Sequence, residues 1–93
     1  RQMSYQLVFT AQYSKRASKF LKRHPELEKT YLKALQLLEI NPQHPSLRLH
    51  ALGGKLHGLH SVSINLSYRI TLQFLVQDKQ IIPIHVGDHD TVY

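Results

Sequence analysis

Two hydrophobic periods divide this chain. Over residues 5–10, YQLVFT, apolar and aromatic positions recur at every second residue (Tyr5, Leu7, Phe9), which predicts a strand. From Ala11 the spacing changes, and Tyr13, Ala17, Phe20 and Leu21 fall on one face of a helix. A proline disfavours helix at the residue before it, so this run ends at His24-Pro25. Pro25 suits the first turn of a second helix, with Glu26 and Glu28 near its positive end. Leu27, Tyr31, Ala34, Leu35 and Leu38 make its apolar stripe, and Asn41-Pro42 stops it. The proline-rich connector NPQHPS (41–46) leads to a short extended piece at 47–52 and a flexible basic loop, Gly53-Gly54-Lys55-Leu56-His57-Gly58. Alternation then returns over 59–64, 68–76 and 80–86, with turns at Asn65-Leu66-Ser67 and Gln77-Asp78-Lys79.

The order strand–helix–helix–strand–strand–strand predicts an α+β fold. An N-terminal strand and a helical hairpin pack on one face of a small antiparallel sheet, as a single domain over 1–93. Successive strand residues point to opposite faces. The even positions Val62, Ile64, Tyr68, Ile70, Leu72, Phe74, Val76, Ile82, Ile84 and Val86 are almost all apolar and are expected to meet the helices. Ser61, Ser63, Arg69, Thr71, Gln73 and His85 then share the other, mostly polar face. Turns centred on Leu66 and Asp78 would set Ser63 opposite Arg69 and Ser61 opposite Thr71. They would also set Thr71 opposite His85 and Arg69 level with Gly87. A guanidinium placed there can grip a phosphate with both of its nitrogens, with no strand carboxylate competing.

Composition narrows the partners. Twelve Lys and Arg against six Asp and Glu leave a formal charge of +6 on 93 residues, which favours an anionic partner. Lys15, Arg16, Lys19, Lys22 and Arg23 on the first helix read as an electrostatic footprint able to dock a phosphate backbone without selecting a sequence. Without cysteine there is no disulfide, iron–sulfur cluster or thiolate zinc site. The His-x-x-His pair His57 and His60 is too loose a spacing to define a metal centre, and no metal or cofactor is expected. Nucleotide-binding and serine-nucleophile fingerprints are missing from the sequence. No apolar run reaches membrane-spanning length and the N-terminus lacks a signal-peptide core; a cytoplasmic protein is expected.

The segments LHALGGKLHGLHSVSINLSYRI and IIPIHVGDHDTVY, with the helix YSKRASKFLKRHPEL and the NP connector, resemble the RelE/ParE toxin superfamily, on its YafQ-like branch of RelE-type mRNA interferases. The resemblance runs along essentially the whole chain. It implies a toxin of a type II toxin–antitoxin pair that enters the ribosomal A site beside 16S rRNA and cuts mRNA there. The chemistry implied is metal-free attack by a ribose 2′-hydroxyl, giving a 2′,3′-cyclic phosphate and a 5′-hydroxyl. It calls for a base, cationic stabilisation of the phosphorane and an acid at the leaving oxygen.

Matched position by position, His50 takes the place of the first catalytic histidine. Arg69 matches the arginine after the family's aromatic, His89 the C-terminal histidine that acts as general acid, and Tyr93 the terminal aromatic. RNA contacts are expected from Lys15, Lys19, Lys22 and Arg23, from Lys55, His57, His60 and Ser63, and from Tyr68 and His85. Ser63 stands where the branch carries histidine, Ser67 where an acidic catalytic residue occurs, Ala51 for the usual proline and His60 for a frequent tryptophan or arginine. Serine supplies neither base nor cation at neutral pH. The implied partner is an antitoxin protein in a toxin–antitoxin heterocomplex, with no membrane involved. Alternatives within the resemblance are a ParE-like inhibitor of DNA gyrase and a catalytically weakened, antitoxin-binding relative.

Overall fold

Thr10 opens the first helix, because its Oγ1 accepts a hydrogen bond from the Tyr13 amide at 3.1 Å. In this computed structural model, which describes residues 5–75 and 77–88, the capped helix is α1 (Ala11–Arg23). Lys22 and Arg23 lie in its last turn, where cations meet the negative end of the helix. Pro25 does not start the second helix itself. It opens a single 3-10 turn, Pro25–Leu27, in which the Leu27 amide bonds back three residues to the His24 carbonyl at 2.9 Å. The second helix, α2 (Glu28–Ile40), follows, and the Asn41 amide closes it onto the Leu37 carbonyl.

The remaining strands are β2 (His50–Ala51), β3 (His60–Ser63), β4 (Tyr68–Leu75) and β5 (Gln80–Asp88), in the spatial order β1-β5-β4-β3-β2 with β1 (Gln6–Leu7). Two expectations are corrected. The first strand is two residues long, because capping at Thr10 draws the chain off the sheet. It also runs parallel to β5, so the sheet is mixed rather than wholly antiparallel. The Gln6 amide reaches the Lys79 carbonyl at 2.8 Å and the Val8 amide the Ile81 carbonyl at 2.9 Å.

The second correction concerns β5. Above its midpoint the expected register holds, with Thr71 opposite His85 and Arg69 opposite Gly87. Below it, Leu72 pairs with Pro83, so Ile84 is an extra residue without a partner on β4. Proline has no amide proton for the ladder and is tolerated in strands at edges and bulges. The bulge reverses the lower parity. Ile81 and Pro83 are buried, whereas Ile82 and Ile84, expected in the core, are only half-buried. Val76 lies outside the described residues.

The core joins Tyr13, Ala17 and Phe20 of α1, Tyr31, Ala34 and Leu38 of α2, and Val62, Ile70, Leu72, Ile81 and Val86 of the sheet. Within it the Tyr13 and Tyr31 hydroxyls share a 2.8 Å hydrogen bond. Burial raises the pKa of both phenols above the ordinary value, so the pair is neutral throughout the physiological range. Tyr13→Phe leaves the Tyr31 hydroxyl buried without its partner and should cost about 1–3 kcal/mol, whereas Phe at both positions should cost much less. Urea unfolding of the single and double variants measures the difference.

Candidate nucleic-acid site on the sheet face

Strand register sets two rows of side chains on the face away from the helices. One is Ser63–Arg69–Gly87 across β3, β4 and β5; the next is His50–Ser61–Thr71–His85 across β2 to β5. With neighbouring strands about 4.8 Å apart, His50 and His85 stand about 14 Å from each other at the ends of their row.

Arg69 is half-buried, and its Nη1 is buried with no hydrogen-bond partner among the described residues. Gly87 opposite offers no side chain, and Ser63 on the other flank offers only a hydroxyl. An unmet guanidinium donor is costly unless an acceptor arrives from outside, and the fork geometry suits a phosphate oxygen.

Ser61 and Thr71 depart from expectation. They were expected on an open polar face, yet they are 0% and 2% exposed. Parity assigns a face but not a depth, and these short side chains form the floor between longer neighbours. Neither hydroxyl has a hydrogen-bond partner among the described residues.

At one end of the row, exposed His50 places Nδ1 3.1 Å from the Arg48 carbonyl. A carbonyl only accepts, so Nδ1 carries the proton and Nε2 is left for an outside group. Arg48 adopts the left-handed conformation, φ 52°, at the end of the 3-10 turn Pro45–Leu47. That turn swings its carbonyl toward the histidine two residues on. At the other end His85 is half-buried. Burial first, then the Arg16 guanidinium, lowers its pKa, so it is uncharged at neutral pH.

His85 also borders a cleft of about 510 Å³ between α1 and β5. Arg16, Lys19 and Arg23, spaced three and four apart, bring three cations to its helix side. Its floor is an aromatic cluster, with the Tyr68 ring 5.2 Å from Phe20 and 4.7 Å from His24. Tyr68, expected to contact RNA, is thus held in this cluster as a wall of the cleft. The Arg16 Nη1 donates to the Ile84 carbonyl at 2.8 Å, capturing a backbone group at the bulge. Sequence reasoning placed Arg16 in the basic run but gave it no such role. The signal was Pro83, whose missing amide invites a bulge.

The other expected residues are scattered. Lys15 and Lys22 are exposed on α1 but do not line the cleft, and Lys55 and His57 are exposed in and after the 3-10 turn Gly54–Leu56. His60 is turned away from Arg69: its ring meets Phe74 edge-on at 5.6 Å, and with His44 and His50 it lines a second cleft beside β2. Ser67 is exposed in a turn whose Ser67 and Tyr68 amides donate to Asn65 Oδ1 at 2.8 and 2.9 Å. His89 and Tyr93 lie outside the described residues. Among the described residues no three His, Asp or Glu side chains form a metal-binding group, and no helix is long and apolar enough to cross a membrane.

No protein family known by its sequence pattern matches the chain, and no curated protein does. Solved structures match it closely in shape, and the fold is the one seen in the YafQ and YoeB/ParE structures. YafQ from E. coli strain BL21(DE3) superposes over 96% of this chain and 98% of its own, with 19% identity and a TM-score of 0.71. A chain of the E. coli DinJ–YafQ toxin–antitoxin complex matches over 98% and 99%, with 21% identity and a TM-score of 0.74. The YoeB/ParE toxin from Agrobacterium tumefaciens matches over 90% and 98%, with 16% identity and a TM-score of 0.69.

Proposed function

We propose that the protein is the toxin of a type II toxin–antitoxin system and an endoribonuclease that cuts mRNA in the ribosomal A site. The observation that carries this reading is the buried Nη1 of Arg69, with no hydrogen-bond partner among the described residues, on a face flanked by histidines and opposite a glycine. Arg69 grips the scissile phosphate and stabilises the charge that gathers on it as the 2′-oxygen attacks. His50, with Nδ1 bonded to the Arg48 carbonyl, keeps Nε2 available to the same RNA at the β2 edge. His89 protonates the departing 5′-oxygen, and Tyr93 stacks on a base or assists that transfer. Lys19 and Arg23 in the α1 cleft hold the flanking backbone, with Lys15 and Lys22 adding long-range attraction. Every step uses side chains of this protein and needs no metal. The solved DinJ–YafQ toxin–antitoxin complex, whose toxin has this fold, supports an antitoxin as partner; an acidic segment of that partner would complement the basic cleft.

Ser63 and Ser67 favour a second reading, a weakened enzyme kept for antitoxin binding, since neither serine can act as base or cation. Programmed ribosomes incubated with the wild-type protein and with His89→Ala separate the two. Cuts in the A-site codon that vanish in the variant are expected. An intact message after treatment with well-folded wild-type protein would leave only the weakened or the gyrase-directed reading.

A further inference from the structure

We propose that His85 is the general base that takes the proton from the attacking 2′-hydroxyl; this rests on the RNA-cleavage reading. His85 lies directly across from Thr71 on β4, which makes it the diagonal neighbour of Arg69. Diagonal partners on one face stand about 7–8 Å apart at their Cβ atoms. The position between them on β5, Gly87, carries no side chain. A phosphate held on the Arg69 fork therefore meets no side chain at Gly87, and the ribose attached to it reaches the imidazole one row below. His50 is less well placed for this transfer. It stands two strands from Arg69, beyond β3, whereas His85 stands one strand away.

His85 also sits where the sheet face meets the α1 cleft. RNA entering between Arg16, Lys19 and Arg23 meets this imidazole on reaching the sheet. The charged and titratable groups around it are those three cations with His24 on and just after α1, Arg69 and Tyr68 from β4, and Asp88 on its own strand. Burial and the Arg16 guanidinium lower its pKa, keeping it ready to accept a proton at neutral pH.

The step balances. The 2′-hydroxyl proton passes to an imidazole nitrogen of His85, the 2′-oxygen bonds to phosphorus, and the P–O5′ bond breaks. The 5′-oxygen takes a proton from the acid assigned to His89. The products are a 2′,3′-cyclic phosphate and a 5′-hydroxyl, and water restores both histidines.

The test is the pH profile of kcat/KM for mRNA cleavage on programmed ribosomes. A base must be deprotonated, so wild-type cleavage should fall on acidification through an inflection below pH 6.5. His85→Gln should lose that acid limb and about 10²–10⁴-fold in kcat, with KM little changed. Arg16→Met removes a charge that lowers the imidazole pKa, so its acid limb should move to higher pH. A purely structural role for either residue would not move the limb. His85→Gln with the wild-type rate and profile overturns the assignment and leaves RNA cleavage standing. If His85→Gln does not fold, an unmoved limb in Arg16→Met overturns it instead. A folded wild-type protein that cuts no RNA overturns both readings together.

Discussion

Arg69→Gln should lower mRNA cleavage by about 10²–10³-fold, the loss typical when one preorganised donor to a developing oxyanion is removed. Glutamine keeps a polar side chain of moderate length but loses the charge and the fork. The fold should survive the change. The buried Nη1 has no hydrogen-bond partner among the described residues, so its removal breaks no such bond and relieves a desolvated donor. Unfolding midpoint and cleavage rate should therefore separate, the first unchanged or higher and the second collapsed. Arg69→Lys should recover only part of the loss, because an ammonium supplies charge without the planar pair of donors. Equal cleavage by Arg69→Gln and wild type would remove the central support for the RNA-cleavage reading.

Leu72→Ala should be the most damaging of the core changes considered. Leu72 is fully buried on β4, between His60 of β3 and Pro83 of β5, with the helices above. Truncation there removes apolar contacts in the middle of the sheet and leaves a cavity that two hydrogen-bonded neighbours cannot close. The expected cost is about 2–5 kcal/mol. Folded proteins have only about 5–15 kcal/mol in hand, and in a chain of this length each kcal/mol lowers the melting temperature by about 4–8 °C. A calorimetric or circular-dichroism melt should show a fall of roughly 10–30 °C. A fall under about 4 °C would mean that the helices settle into the space.

Local pattern made much of this arrangement legible. The alternation in SVSINLSYRITL is regular on both sides of a short turn, and it placed Ser63 against Arg69 and Ser61 against Thr71, as the structure has them. In β5 the run IIPI has no polar position to mark its faces. Pattern therefore could not show that the ladder slips at Ile84, and Ile82 and Ile84 were assigned to the core in place of Ile81 and Pro83. The pairing of β1 with β5 joins residues more than seventy positions apart, and nothing in either segment names the other. A comparable separation, 68 positions, hid the bond from Arg16 to the Ile84 carbonyl. For the candidate site, pattern gave the face of Arg69 and His85 but not the burial of Ser61 and Thr71, since depth depends on the length of the neighbouring side chains. Tyr68, by contrast, was assigned both to the core by parity and to RNA by resemblance, and its packing against Phe20 and His24 agrees with the first.

The place of β5 between β1 and β4 has a consequence for how the chain matures. The strand that completes the sheet is the last one described, and it must insert between its neighbours in space rather than add to an edge. Domains synthesised on ribosomes can begin to collapse from the N-terminal end, and here α1 and α2 can pair early through local contacts. Neither the Arg69–Gly87 row nor the α1 cleft can exist until residues 80–88 are available. Folding is thus dominated by closure of the longest loop in the protein, a slow step by the usual relation between contact separation and rate. The Arg69 face and the cleft beside it are therefore the last part of the described chain to assemble, after the helices that flank them.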